Sequence, residues 1–201
     1  MSKFLDWYLY IYIFSFIFFA IFLKTWMLYK KTGINPVTFQ RNTDSVHDYV
    51  GVWFKAIMGL LFVYVLVKEI LIMPTIDIFN HIGFQALGIV LTLSSLLLII
   101  WAQHVMGNSW RIGIDREHST GLVIKGPFQW SRNPIFLGML ISTFGLVVLI
   151  PTYLMCFLFI LSWLLINIQV RLEEKYLNEM HGETYLVYKS TVGRFLPKLK
   201  H

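Results

Sequence analysis

The chain has 201 residues, of which 57% are hydrophobic, 17% aromatic and 14% charged, with a mean hydropathy of +0.64. Soluble domains carry about 25% charged residues, so this composition excludes an ordinary soluble domain and predicts an all-α integral membrane helical bundle of about five spans. A net charge of +6 needs a partner or a compartment to explain it, and the single cysteine, Cys156, excludes an intrachain disulfide and a cysteine-cluster metal site.

Five apolar runs follow one another, at residues 4–23, 50–73, 82–101, 135–150 and 153–168. The first three reach the ~20 residues needed to cross a ~30 Å hydrocarbon core. The first is longer than the ~7 to 15 residues of a signal-peptide core and no small-residue cleavage site follows it, so it is read as a span. After it come a turn signal, Gly33-Ile34-Asn35-Pro36, and a polar loop in which His47 and Asp48 are secondary site candidates. Lys55, Lys68 and Glu69 lie near the ends of the second run, where snorkelling is expected. Only Pro151-Thr152 separates the last two runs, which predicts an antiparallel hairpin. We read 1–201 as a single membrane domain, with three spans and their loops in 1–101 and a loop, the hairpin and a C-terminal amphipathic segment in 102–201.

Basic residues concentrate after alternate spans. Lys24, Lys30, Lys31 and Arg41 follow the first, Arg111, Arg116, Lys125 and Arg132 the third, and Arg171, Lys175, Lys189, Arg194, Lys198 and Lys200 the last. Because Lys and Arg favour cytoplasmic loops, the N-terminus is expected outside and the C-terminus in the cytoplasm. The sequence pI near 9.4 then reflects topology and attraction to anionic membrane lipids, not nucleic acid.

Asn133-Pro134 is a strong helix start, since asparagine caps and proline at the first helical position has no N–H to leave unpaired. The helix after the fifth run should continue through Arg171, Glu173, Glu174 and Tyr176 to the stop signal His181-Gly182. A last segment, with Tyr185, Tyr188, Val192 and Phe195 at mostly helical spacing, runs to Pro197. It either lies on the bilayer surface, folds over the preceding loop, or serves packing alone.

There is no G-x-G-x-x-G, Walker loop, H-E-x-x-H, G-x-S-x-G or C-x-x-C, and the six histidines are scattered, so nucleotide, zinc and haem chemistry find no support and no metal is expected. What remains is a polar constellation of Arg132, Asn133, Arg171, Glu173 and Glu174. Adjacent Glu173 and Glu174 point about 100° apart on a helix, so one can enter a pocket while the other is solvated or paired with an arginine. The plain alternative is that Arg171 and Glu174, at i and i+3, form a helix-surface pair.

The order Leu122-Val123, Gly126-Pro127-Phe128, Arg132-Asn133-Pro134, two hydrophobic runs, Glu173-Glu174 and GETYLVYKSTVGRFLP at 182–197 resembles the isoprenylcysteine carboxyl methyltransferase and phospholipid methyltransferase superfamily. The resemblance covers about the last hundred residues. It implies an S-adenosylmethionine-dependent methyltransferase with a lipidic or hydrophobic small acceptor (carboxylate, amine or thiol). By that resemblance Leu122, Val123, Gly126, Phe128, Arg132, Asn133, Pro134, Ile135, Phe136, Gly138, Glu173 and Glu174 are expected at the cofactor, with Arg171 and Glu174 as catalytic candidates. Asn133 stands where histidine is commoner and Phe136 where tyrosine is commoner, which removes a proton carrier and a hydroxyl. A non-catalytic transporter or scaffold is the competing expectation, although no inverted repeat of the transporter kind is seen.

Overall fold

The computed structural model describes residues 3–33, 46–71, 73–76, 81–110 and 121–198. The Asn35-Pro36 turn, Arg41, Arg111, Arg116, Lys200 and the side chains of His47 and Asp48 lie outside the described residues. Among the described residues there are five helices: α1 (Lys3–Thr32), α2 (Val46–Val67), α3 (Ile82–Met106), α4 (Pro134–Leu149) and α5 (Tyr153–Thr191). Short 3-10 turns occupy Gly107–Ser109 and Gly126–Gln129, and the described residues form isolated β-bridges but no strand. α1, α2, α3 and α5 are long and apolar enough to cross a membrane, and α4 is a shorter apolar helix. The chain is an integral membrane helical bundle. Its outer surface matches: Phe4 and Phe14 are 71% and 72% exposed, as lipid-facing side chains should be.

Helices in lipid gain nothing from hiding apolar surface from one another, so close contact and hydrogen bonds hold them together. The α3–α4 pair shows the first device. A β-carbon at Gly138 would come within 2.5 Å of Ile99 Cγ1 and 3.2 Å of the Ser95 carbonyl, so only glycine permits this approach. Gly88 and Gly145 repeat the pattern, meeting Leu149 and Thr92.

Hydroxyls supply the second. Tyr8 Oη lies 2.5 Å from Thr92 Oγ1, and Tyr12 Oη lies 2.5 Å from Ser142 Oγ and 3.3 Å from Ser95 Oγ. One layer thereby joins α1, α3 and α4. Around it pack Leu5, Leu9, Leu61, Val65, Ile99 and Met155. Within α1 a π-helical stretch, Ile17–Leu23, widens the turn, and Gln103 of α3 donates to the Ala20 carbonyl inside it at 2.6 Å.

At one end the α4–α5 hairpin turn is pinned from the α2–α3 connection. Thr152 caps α5 by accepting from the Met155 N–H at 3.2 Å, and its hydroxyl lies 2.7 Å from Tyr64 Oη. The Ile76 N–H donates to the Pro151 carbonyl at 2.7 Å. Lys68 does not snorkel as expected. Its side chain is only 4% exposed and its ammonium sits 2.7 Å from Asp6 Oδ1, with Glu69 as a second partner. A carboxylate on α1 draws the lysine inward and couples α2 to α1.

At 39 residues, α5 is about twice the length needed for a ~30 Å core. Its polar continuation breaks at Gly182 (φ 50°, ψ −127°), a conformation that favours glycine, as the His181-Gly182 signal predicts. Helix resumes over residues 183–191 but ends at Thr191, short of the expected Phe195. Two causes are visible. A β-carbon at Gly193 would fall on the Leu196 carbonyl oxygen, so the chain turns sharply there. Lys198 then curls back, its ammonium donating to the Lys189 and Ser190 carbonyls at 2.9 and 2.7 Å and satisfying two of the last helical acceptors.

Candidate functional site at the charged end of the bundle

The loop before α4 and the tail after Gly182 lock together. Gly126 (φ 57°) opens the loop, and a β-carbon there would come 2.9 Å from Val105 Cγ2, so glycine seats the turn against the end of α3. Phe128 is buried, and its carbonyl accepts from Tyr188 Oη at 2.6 Å. Ser131 bridges to Gly193, the Arg132 N–H donates to the Gly193 carbonyl at 2.9 Å, and Ser131 Oγ donates to the Arg194 carbonyl at 3.2 Å. Leu122 packs on Tyr185, Tyr188 and Val192, so the tail's apolar face folds over the preceding loop.

Glu174 is the hub. Arg132 Nε and Nη2 donate to its Oε1 at 3.1 and 2.8 Å, and Asn133 Nδ2 donates to the same oxygen at 3.1 Å. Arg194 Nε and Nη2 donate to Oε2 at 3.1 and 2.8 Å. Arg132 also donates through Nη1 to the Val192 and Lys189 carbonyls. Glu174 is 4% exposed, and burial alone would raise its carboxyl pKa, yet the hydrogen bonds and charges of Arg194 and Arg132 hold it below the ordinary range. The same contacts raise the Arg194 guanidinium. A carboxylate has about four lone-pair sites. Five donors saturate it, and Glu174 holds the loop and the tail together.

Other expectations divide in the same way. Asn133 takes the N-cap position before Pro134, but its side chain makes no cap bond. Its amide goes to Glu174 and, at 3.2 Å, to the Arg194 carbonyl. Glu173, half-buried on the next face, accepts a 3.2 Å bond from Gln169 Nε2 and has no arginine partner among the described residues. The Arg171–Glu174 surface pair does not form; Arg171 is exposed and lines a cavity of about 340 Å³ with Glu174, Lys175, Asn178, Lys189 and Arg194.

Ile135 joins the hydrophobic core, and Phe136 meets Phe54 of α2 edge-to-face with ring centroids 6.3 Å apart. Gly138 serves the α3–α4 contact. Val123 is half-buried beside Leu122 and Pro134 is buried at the helix start. Arg194 is the residue that sequence reasoning assigned no role. Its signal was a lone arginine after Gly193 inside the VGRFLP stretch that carries the resemblance.

Protein-S-isoprenylcysteine O-methyltransferase of Saccharomyces cerevisiae is 32% identical over 139 residues, covering 64% of this chain and 57% of that protein. The alignment therefore takes in little more than half of the yeast protein. YpbQ of Bacillus subtilis, an uncharacterized protein, is 28% identical over 123 residues, covering 61% of this chain and 71% of its own length. A profile of the phospholipid methyltransferase family matches residues 84–184, from the start of α3 through both arms of the α4–α5 hairpin to just past the Gly182 break. With half of its length in that match, the chain belongs to the phospholipid methyltransferase family.

Proposed function

We propose that the chain is an S-adenosylmethionine-dependent methyltransferase acting on a lipidic or hydrophobic small acceptor at the cytoplasmic face of its membrane. The observation that carries this reading is the diversion of Asn133. Because its amide turns to Glu174, the N–H groups of Ile135 and Phe136 in the first turn of α4 lack the usual side-chain cap. Uncapped amides at a helix start suit a carboxylate, and the methionyl end of the cofactor carries one.

S-adenosylmethionine supplies an electrophilic methyl on a sulfonium. The residues here would bind and align. Phe128 and its apolar neighbours form a wall for the adenosyl group, and Glu173, with no arginine partner among the described residues, offers acceptor oxygens to hydroxyl or amino donors. Glu174, with Arg132 and Arg194, fixes the loop that carries Asn133 and Pro134. Arg171 at the cavity rim orients the acceptor. Displacement at a methyl group needs alignment above all, so positioning supplies much of the rate.

Calorimetry on detergent-purified protein tests the reading, with S-adenosylhomocysteine beside S-adenosylmethionine. Saturable binding of both, weakened by Glu173→Gln, is the expected outcome. A folded sample that binds neither would leave the family likeness as shared architecture alone.

A further inference from the structure

We propose that the cavity between α5 and the returning tail binds a phosphate monoester or inorganic phosphate, and that the bound anion ties the tail to the helix across the Gly182 break. Four cations line it, Arg171, Lys175, Lys189 and Arg194, against one carboxylate, Glu174. That carboxylate is already matched by Arg132 behind it and by Arg194. Arg171 and Lys189 have no carboxylate partner among the described residues. Lys175 reaches Glu179 only at 3.9 Å, with both side chains largely exposed, and such a pair holds little. The cavity therefore keeps uncompensated positive charge.

The charge is divided between two walls. Arg171 and Lys175 lie before the break at Gly182, and Lys189 and Arg194 lie after it. Empty, these walls repel each other; an anion between them turns the repulsion into a bridge, with arginine forks suited to phosphate oxygens. Asn178 narrows the chemistry. It lines the cavity, and its amide oxygen is buried without a donor among the described residues. A hydrogen phosphate or a monoester phosphate brings acceptor oxygens for the cations and, in its singly protonated form, an O–H for that amide. Sulfate lacks the proton near neutral pH. The volume, about 340 Å³, admits a phosphate with water or a headgroup, and leaves acyl chains outside.

The test uses the full chain in phosphatidylcholine nanodiscs, read by thermal unfolding and by limited proteolysis within residues 183–198. Inorganic phosphate is titrated against sulfate and chloride at equal ionic strength, and a second arm replaces part of the phosphatidylcholine with phosphatidic acid. Expected are a saturable rise in unfolding temperature with phosphate beyond that with sulfate, and slower cleavage of the tail. Lys189→Gln and Lys175→Gln should each weaken the phosphate effect about fivefold, as one cation worth about 1 kcal/mol would. A response to phosphate alone identifies a soluble ligand, and a response to phosphatidic acid alone a lipid headgroup. Both support the site.

Equal effects of phosphate, sulfate and chloride in the absence of any phosphatidic acid effect, or responses unchanged in both lysine variants, overturn it. So does competitive loss of the phosphate effect on adding S-adenosylhomocysteine, which would give the cavity to the cofactor. No methyl donor enters the main readout. A sample that binds S-adenosylmethionine and ignores phosphate and phosphatidic acid refutes this inference and leaves the catalytic reading standing.

Discussion

Two of the polar assemblies that join helices in this bundle use opposite chemistry. The layer formed by Tyr8, Tyr12, Thr92, Ser95 and Ser142 is neutral throughout and buried among apolar side chains. The hub at the charged end gathers Arg132, Asn133, Glu174 and Arg194 around one carboxylate. Neutral hydroxyls can be left in hydrocarbon at modest cost because they bond to one another and some also find a backbone carbonyl, as Thr92 does with Gly88 and Ser95 with Thr92. Charges need a counter-charge, and those of the hub collect where α5 leaves its apolar run. The lesson is one of tolerance. The layer should absorb the loss of a member, whereas the hub should not.

That contrast can be broken most directly at Glu174. Glu174→Ala leaves a buried arginine without its counter-charge and should cost about 3–5 kcal/mol, read by denaturant unfolding in mixed micelles. A cost as small as that of a hydroxyl deletion would erase the distinction. Acid should probe the same hub more gently. Glu174 has a folded pKa below its ordinary value of 4.5, so its stabilisation is present above that value and is lost as pH falls through the depressed one. The Glu174→Gln protein should show a flatter acid limb than the parent.

Smaller steps sharpen the comparison within the membrane. Gly138→Val forces α3 and α4 apart beside Ser95 and should cost about 1–3 kcal/mol, with broadened unfolding as a second sign. Thr152→Ala removes the α5 cap and its bond to Tyr64, for about 1 kcal/mol. Tyr12→Phe, the mildest change, should cost about 0.6 kcal/mol, the average for an interhelical hydrogen bond in a membrane. A loss several times larger in Tyr12→Phe would mean that the layer behaves like the hub.

The sequence made some of this legible because the cause was local. Pro134 fixes where α4 begins through its missing N–H, and Gly182 breaks α5 through its left-handed backbone. Five apolar runs gave five helices, although α1 and α5 continue past theirs. What stayed hidden depends on partners far along the chain. Asn133 looked like a cap, and its real partner, Glu174, lies 41 residues away. Spacing placed Glu173 and Glu174 on different faces but could not say which face meets arginine, since Arg194 returns only after the turn at Gly193. Lys68 was misjudged for the same reason, its carboxylate Asp6 being 62 residues earlier.

The bond from Arg132 to the Val192 carbonyl spans 60 residues, and this separation sets an order in time. During synthesis the loop around Arg132 leaves the ribosome while both arms of the hairpin and the tail are still to be made. The bundle can therefore enter the membrane before its charged end has been assembled. Until residues 189–194 emerge, Arg132 has neither of its tail carbonyls to hold and Glu174 only one of its two arginines. A nascent chain is thus inserted first and closed last, which keeps an unfinished copy from presenting a finished site.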